Sequence, residues 1–325
     1  MSKVAVIYMG GTFGCVGSPL SPMPHTEFLP QLQSIIRPYS TVDFDCYAAP
    51  DIIDSSACTA KTWLRLIQFI QQLQHEKQIQ KFIIIHGTDT LSYASAVLTR
   101  FLAQSCTVIL TGSQYPLLNT DGSAVRTTTD ALDNLRHALE HISHVTSGVH
   151  LSFNGQLFHG HSVIKYHTTA LHAFKGVSST EQLTKPQIAH IVTDADITRA
   201  ETLNIMNLML QPTEQQQLQK QLQLIATQAP DFLILQGFGT GNIATNPQIV
   251  QHIKHLQQQN CLAILTTQVT FGSLDQRYAI SQWVKDADIM VSDGIGHADL
   301  YAKILKLYLT YQHVSQYRQH WADAT

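Results

Sequence analysis

The sequence predicts an α/β fold, with a larger N-terminal domain built on a mostly parallel sheet flanked by helices and a smaller C-terminal α/β domain. Three observations predict it. Short apolar runs of strand type recur at 4–8, 82–85 and 108–110, each ending in a polar loop, with Gly10-Gly11, Gly87 and Gly112 in them. Between the later runs, 63–73 and 92–102 carry apolar residues at helical spacing, and strands alternating with helices of about 10–15 residues indicate a parallel sheet. A polar stretch without apolar periodicity, 193–201, then interrupts the pattern before it restarts.

Taken in order, 4–8 reads as the first core strand and 82–85 and 108–110 as its neighbours. The pair 149–153 and 156–158 brackets Asn154-Gly155, a hairpin signal because both residues tolerate the positive φ angles of a type I′ turn. We place domain boundaries at 1–192 and 203–325 with a linker at 193–202. Beyond it, 203–210, a helix over 214–227, and strands at 232–235, 262–266 and 289–292 form the second domain. The glutamine-rich helix keeps Leu218, Leu222 and Ile225 on one stripe and reads as a solvated amphipathic helix.

Bulk properties narrow the function. With 325 residues, 44% of them hydrophobic, the chain can bury two cores. A formal charge of −3 offers no field for nucleic-acid phosphates, so no nucleic-acid partner is expected. No apolar stretch reaches the roughly 20 residues that span a bilayer, so no membrane partner is expected either. Five scattered cysteines without a CxxC pair predict a reduced, metal-free cytoplasmic protein with no cofactor.

In parallel α/β sheets, ligands bind at the carboxyl ends of the strands. Gly10-Gly11-Thr12 and His86-Gly87-Thr88-Asp89-Thr90 both fall there. Glycines let backbone N–H groups approach a substrate, and a hydroxyl at Thr12 faces the cleft or caps the strand-to-loop turn. Thr88 beside Asp89 serves an acid/base relay or caps the helix beginning near Ser92. Asp54-Ser55-Ser56 is a polar binding loop or a cap before Trp63. Lys165 stands in a charge-poor stretch, as surface or as a proton-handling group in a dry site.

Together these segments closely resemble the L-asparaginase family of bacterial cytoplasmic type, within the asparaginase/glutaminase superfamily. The matching motifs are GGTFG at 10–14, Asp54-Ser55-Ser56 eight residues before Trp63, HGTDT at 86–90 and TGSQYPL at 111–117. SFNGQLFHG at 152–160 leading into Lys165, and GFGTGN at 237–242, complete the series. The resemblance implies hydrolysis of L-asparagine to L-aspartate and ammonia through a threonyl acyl-enzyme. It implies Thr12 as nucleophile and Thr88, Asp89 and Lys165 as a second triad. Ser55, Ser56 and Asp89 would grip the substrate's α-carboxylate and α-amino groups, with backbone amides around Gly11 and Thr88 at the oxyanion. A homodimer or homotetramer is implied, with Asn242 reaching into a neighbour's site. Glutaminase activity and a non-catalytic asparagine or aspartate sensor are the alternatives.

One departure stands out: the family's tyrosine in the mobile loop after GGT is absent from 16–24, which holds three prolines instead. Tyr8 reads as a core strand residue. His137, His141 and His144 share a helical face in a segment read as polar all round, and read as solvated, not metal-binding. His159 and His161 are expected to be exposed, and Cys15 to be a small buried hydrophobe. Gly237-Phe238-Gly239 lacks the third glycine of a dinucleotide fingerprint.

Overall fold

The computed structural model describes residues 3–184, 186–272, 274, 282–292 and 296–322. The chain divides into two compact units, Met1–Glu201 with Tyr301–Lys303, and Thr202–Leu300 with Ile304–Thr325.

The first unit runs β1 (Val4–Tyr8), β2 (Cys15–Val16), β3 (Ser21–Pro22), α1 (His25–Ile36), β4 (Phe44–Ala48), α2 (Ala60–Lys77), β5 (Lys81–Ile85), α3 (Leu91–Leu102), β6 (Thr107–Thr111) and α4 (Ala131–His141). It continues through β7 (Gly148–Phe153), β8 (Gln156–His159), β9 (Ile164–Lys165), β10 (Phe174–Lys175) and α5 (Asp194–Ala200). The main sheet has the order β4-β1-β5-β6-β7-β8. Every pair is parallel except β7–β8, the hairpin, in which Asn154 and Gly155 take φ of 49° and 70°.

Strand β1 is buried at all five positions, as a strand covered on both faces should be. Its alternate residues Val4, Val6 and Tyr8 join Ile83, Ile85 and Ile109 in one core with Phe28, Leu32 and Ile36 of α1 and Leu135 and Leu139 of α4. Register decides where the site lies. Tyr8 stands opposite both Ala48 and Ile85, and Ile85 opposite Thr111. Four strands therefore end flush, and their loops emerge side by side at one edge.

One local expectation needs correction, and another gains detail. Helix α4 is not polar all round: Ala131, Leu135, Ala138 and Leu139 form a buried stripe, and only the opposite face is polar. The stretch read as linker is largely helical. Thr193 caps α5 by accepting from the Asp196 N–H while the Asp196 side chain accepts from the Thr193 N–H. A helix of seven residues is too short to display apolar periodicity, and here the cap carries the signal.

The second unit contains β11 (Ile205–Met209), α6 (Gln215–Ile225), β12 (Phe232–Gly237), α7 (Pro247–Gln258), β13 (Leu262–Thr267), α8 (Gln282–Asp286), β14 (Met290–Val291), α9 (His297–Thr310) and α10 (Val314–Gln319). Its sheet is parallel throughout, in the order β11-β12-β13-β14. One face packs Leu233, Leu235 and Ala263 against α6 and α7. The other packs Phe232, Ile234, Leu262 and Ile264 against α9 and Tyr317. Among the described residues, no helix is long and apolar enough to cross a membrane.

Candidate active site

At the flush edge of the first sheet, three loops meet with almost no space between backbones. Gly10 and Gly11 follow β1 at φ of 99° and 82°. A Cβ on Gly10 would stand 2.8 Å from the Ile53 carbonyl oxygen, and one on Gly11 would collide with Gly87 Cα while standing 2.8 Å from Gly87 N. A Cβ on Gly87 would meet the Ser55 side chain. Gly10 and Gly11 are thus required twice over, by φ and by close approach, and Gly87 by close approach alone. They set the β1 loop against the β5 loop and the β5 loop against Ser55.

Thr12 opens the single 3-10 turn Thr12–Gly14 and is half-buried. Among the described residues its hydroxyl has no hydrogen bond, so it is available to a ligand. The segment after it, expected to act as a lid, forms the β2–β3 ribbon. It is pinned by Gly17 N–H donating to the Thr120 carbonyl at 2.8 Å and Met23 N–H to the Gly14 carbonyl at 3.0 Å.

Thr88, Asp89 and Lys165 come together. The Lys165 ammonium donates to Thr88 Oγ1 at 3.0 Å and to Asp89 Oδ1 at 3.2 Å. Thr88 is buried, Lys165 is mostly covered (side chain 19% exposed), and the Asp89 side chain is open to solvent at 59%. The ammonium is therefore held beneath a carboxylate whose outer face remains free. Lys165 sits in β9, paired with Phe174 of β10, so a short second ribbon carries it to the edge.

Ser55 is buried and links this cluster to the β4 loop. Its hydroxyl oxygen accepts the Asp89 N–H at 3.2 Å, and its carbonyl accepts the Thr90 hydroxyl at 2.6 Å. Ser56 faces solvent, with its N–H and hydroxyl both donating to Asp54 Oδ1 at 2.8 and 2.6 Å. Those two bonds hold the Asp54 carboxyl below its usual range. Asp54 thus caps the 3-10 turn Ser55–Ala57, while a Thr59–Thr62 capping box starts α2.

Sequence reasoning gave no role to His86, Trp63, Asp130 or Asn134, and each supports the edge. His86 is fully buried. Its Nδ1–H donates to the Gly87 carbonyl at 2.7 Å, so Nε2 is the acceptor for the Trp63 indole N–H at 3.2 Å. Burial pushes its pKa down to about 4, and the ring is a neutral strut under the 86–90 loop. The buried Asp130 carboxylate accepts the N–H groups of Gln114 and Tyr115, both at 2.9 Å, and the Asn134 amide at 3.1 Å. Asn134 also donates to the Gly112 carbonyl, and Gln114 reaches the Ala170 carbonyl in the loop beyond Lys165. An acid followed four residues later by an asparagine, at the start of α4, is the signal that marks this network.

Other expectations resolve differently. His159 and His161 are buried, not exposed: β8 folds back on β7, and His159 bonds the Glu181 carbonyl at 2.9 Å. His137 meets the Ser152 hydroxyl at 2.8 Å and His141 donates to the His137 carbonyl, whereas His144 lies beyond the end of α4. Cys15 is half-buried, its thiol turned to the Gly11 carbonyl at 3.4 Å. Asn242 belongs to the second unit, in the tight loop after β12, where its carbonyl accepts the Phe238 N–H and its amide donates to the Thr240 hydroxyl at 3.2 Å. The edge of the first sheet thus gathers Gly11, Thr12, Ser55, Thr88, Asp89 and Lys165, with Ser56 in the same loop as Ser55.

Comparison with known proteins gives the family and the fold. Residues 3–191 match the family described as Asparaginase, N-terminal. The chain is 25% identical to L-asparaginase 1 of Escherichia coli K12, over 92% of this chain and 88% of that one. It is 26% identical to a mouse protein named 60 kDa lysophospholipase, over 89% of this chain and 55% of that longer protein. The solved thermostable L-asparaginase from Thermococcus kodakarensis shares the fold at a TM-score of 0.78 and 20% identity, covering 98% of this chain and 96% of that one. With its matched segment spanning more than half of its length, the chain belongs to the asparaginase family.

Proposed function

We propose that this protein hydrolyses L-asparagine to L-aspartate and ammonia, with Thr12 as nucleophile. The observation that carries the reading is the Lys165–Thr88–Asp89 cluster, which adjoins Thr12 through the Gly11–Gly87 contact. A metal-free amide hydrolysis needs a nucleophile, a group to protonate the departing nitrogen and N–H donors for the oxyanion. The Thr12 hydroxyl attacks the side-chain amide carbon. The tetrahedral intermediate is held by backbone N–H groups around Gly11 and Thr88, and the C–N bond breaks as nitrogen takes a proton and leaves as ammonia. Water then cleaves the Thr12 ester, releasing aspartate and returning the proton to Thr12.

Thr88 suits the proton-handling role. Because its oxygen accepts from Lys165, its own proton points elsewhere, toward substrate or water. A zwitterion needs a carboxylate opposite its ammonium and donors at its carboxylate. Asp89 offers the first. Ser55 offers the second, since its oxygen is occupied as an acceptor and its proton is free to donate. Ser56 joins only by releasing Asp54, which now takes both of its donors.

We place the enzyme in the cytoplasm, where its free cysteines stay reduced. It acts as a homodimer or homotetramer in which Asn242 completes a neighbour's site. A fully active monomer in sedimentation at assay concentration would contradict that assembly. The test of the activity is ammonia release from purified protein with asparagine and, separately, glutamine. The reading expects a higher kcat/KM for asparagine. The two amides differ by one methylene, for which a pocket discriminates by about 1–3 kcal/mol. No ammonia from asparagine would overturn it.

A further inference from the structure

Beneath the Thr12–Gly14 turn lies a polar atom that the mechanism leaves unused. Tyr8 ends β1, is fully buried, and packs on Phe28 with 4.7 Å between ring centroids. Its hydroxyl has no hydrogen-bond partner among the described residues. Phenylalanine would fill the same core position without that orphan, since a dry unpaired hydroxyl is destabilising. A buried unsatisfied group in a functional protein calls for an explanation at its own position.

That position is the underside of the nucleophile turn. A Cβ on Gly14 would collide with Tyr8 Oη and stand 2.6 Å from Cζ, so the turn rests directly on the phenol end and only glycine fits above it. Within the turn, Gly14 N–H reaches the Gly11 carbonyl at a long 3.4 Å, and Cys15 N–H donates to the Thr12 carbonyl. Phe13 and Gly14 are gripped from the side, their carbonyls accepting Leu117 N–H at 2.9 Å and Met23 N–H at 3.0 Å. These bonds hold the turn by its carbonyls, and the phenol end lies against Gly14. Burial raises the Tyr8 pKa, so the group there remains a neutral phenol.

We propose that Tyr8 is a positioning residue for the nucleophile: its hydroxyl fixes the height of the Thr12–Gly14 turn over the sheet, and with it the line along which Thr12 attacks. The inference rests on reading Thr12 as the nucleophile. Its size follows from geometry, because a displacement of about 1 Å at a reacting group costs on the order of 100-fold in rate.

The test compares Tyr8→Phe and Thr12→Ala in the full chain, reading ammonia release from asparagine, KM, and a thermal melt. Tyr8→Phe is expected to melt no lower than the wild type, to keep KM within about twofold, and to lose at least about tenfold in kcat. A packing role alone would leave kcat per folded molecule unchanged. Wild-type kcat in Tyr8→Phe therefore overturns the proposal, as does a loss matched by an equal loss of folded protein or an equal rise in KM. Thr12→Ala keeps the two readings apart. If it is inactive while Tyr8→Phe is fully active, the nucleophile reading stands and the positioning role falls. If Thr12→Ala keeps wild-type turnover, both fall.

Discussion

The carboxyl edge of the first sheet packs glycine backbone against glycine backbone and gathers a carboxylate, an ammonium and three hydroxyls. In the second sheet, Gln236 near the end of β12 and Thr266 and Thr267 at the end of β13 stand beside a cavity of about 310 Å³. Among its described lining residues there is neither a carboxylate nor an ammonium. Gln268 there spends its amide donor on the Leu210 and Gln236 carbonyls, at 2.6 and 3.0 Å. Both sheets bury their central strands and aim their loops alike, so the sheet alone does not make a catalytic edge. The fold supplies the edge, and loop residues decide whether chemistry is placed on it.

The largest expected effect comes from disturbing backbone approach at the first edge. Gly11→Ala should cut turnover by on the order of 100-fold or more and lower the melting temperature. Its φ of 82° belongs to a glycine-only conformation, and the new Cβ meets Gly87 backbone that has nowhere to go. Near-normal kcat in that variant would mean that the contact between the two loops is incidental.

The next effect is a pH dependence. The folded His86 pKa of about 4 lies below its ordinary 6.5, so the fold favours the neutral ring. That stability is fully present above pH 6.5 and is lost as pH falls toward 4, where the unfolded chain takes up a proton that the folded chain refuses. At 1.36 kcal/mol per unit, the loss is roughly 3 kcal/mol across that window. Urea unfolding at pH 7 and pH 4.5 should show His86→Gln losing less stability than the wild type. Parallel losses in both proteins would remove His86 as the acid-sensitive strut.

The smallest effect is the matching glycine test in the second unit. Gly239 also follows a strand at positive φ, 50°, but a Cβ there meets nothing within 4 Å. Gly239→Ala should cost about 1 kcal/mol of backbone strain and lower kcat far less than Gly11→Ala does. A loss as deep as that of Gly11→Ala would erase the contrast between the two edges.

The sequence made most of this edge legible and little of its support. Strands β1, β5 and β6 are readable because they are short, apolar and punctuated by glycine. The Asn154-Gly155 hairpin is readable because its turn demands those residue types. Strand β4 is not, because Asp45 breaks the apolar run on a strand paired only to β1. Thr12, Thr88 and Asp89 stand out because motif and strand end coincide, whereas Lys165 acquires meaning only when β9 brings it back across 76 residues to Asp89. Asp130 and His86 stayed hidden for a related reason. Asp130 holds the N–H groups of Gln114 and Tyr115 and His86 the Trp63 indole, partners 15 to 23 residues away that the local Asp130–Asn134 spacing does not by itself reveal. His159 and His161 show the reverse error, where a polar residue type was read as surface although the hairpin folds it inward.

In the proposed chemistry Lys165 works in the site and not on the surface. Steady-state kinetics and a thermal melt on Lys165→Met test it most directly. Turnover should fall by about 100-fold or more, the scale of general acid–base catalysis. The melting temperature should stay close to that of the wild type, because the lysine lies at a cleft and not in the core. Normal turnover in Lys165→Met would contradict it and detach Thr88 and Asp89 from the proposed chemistry.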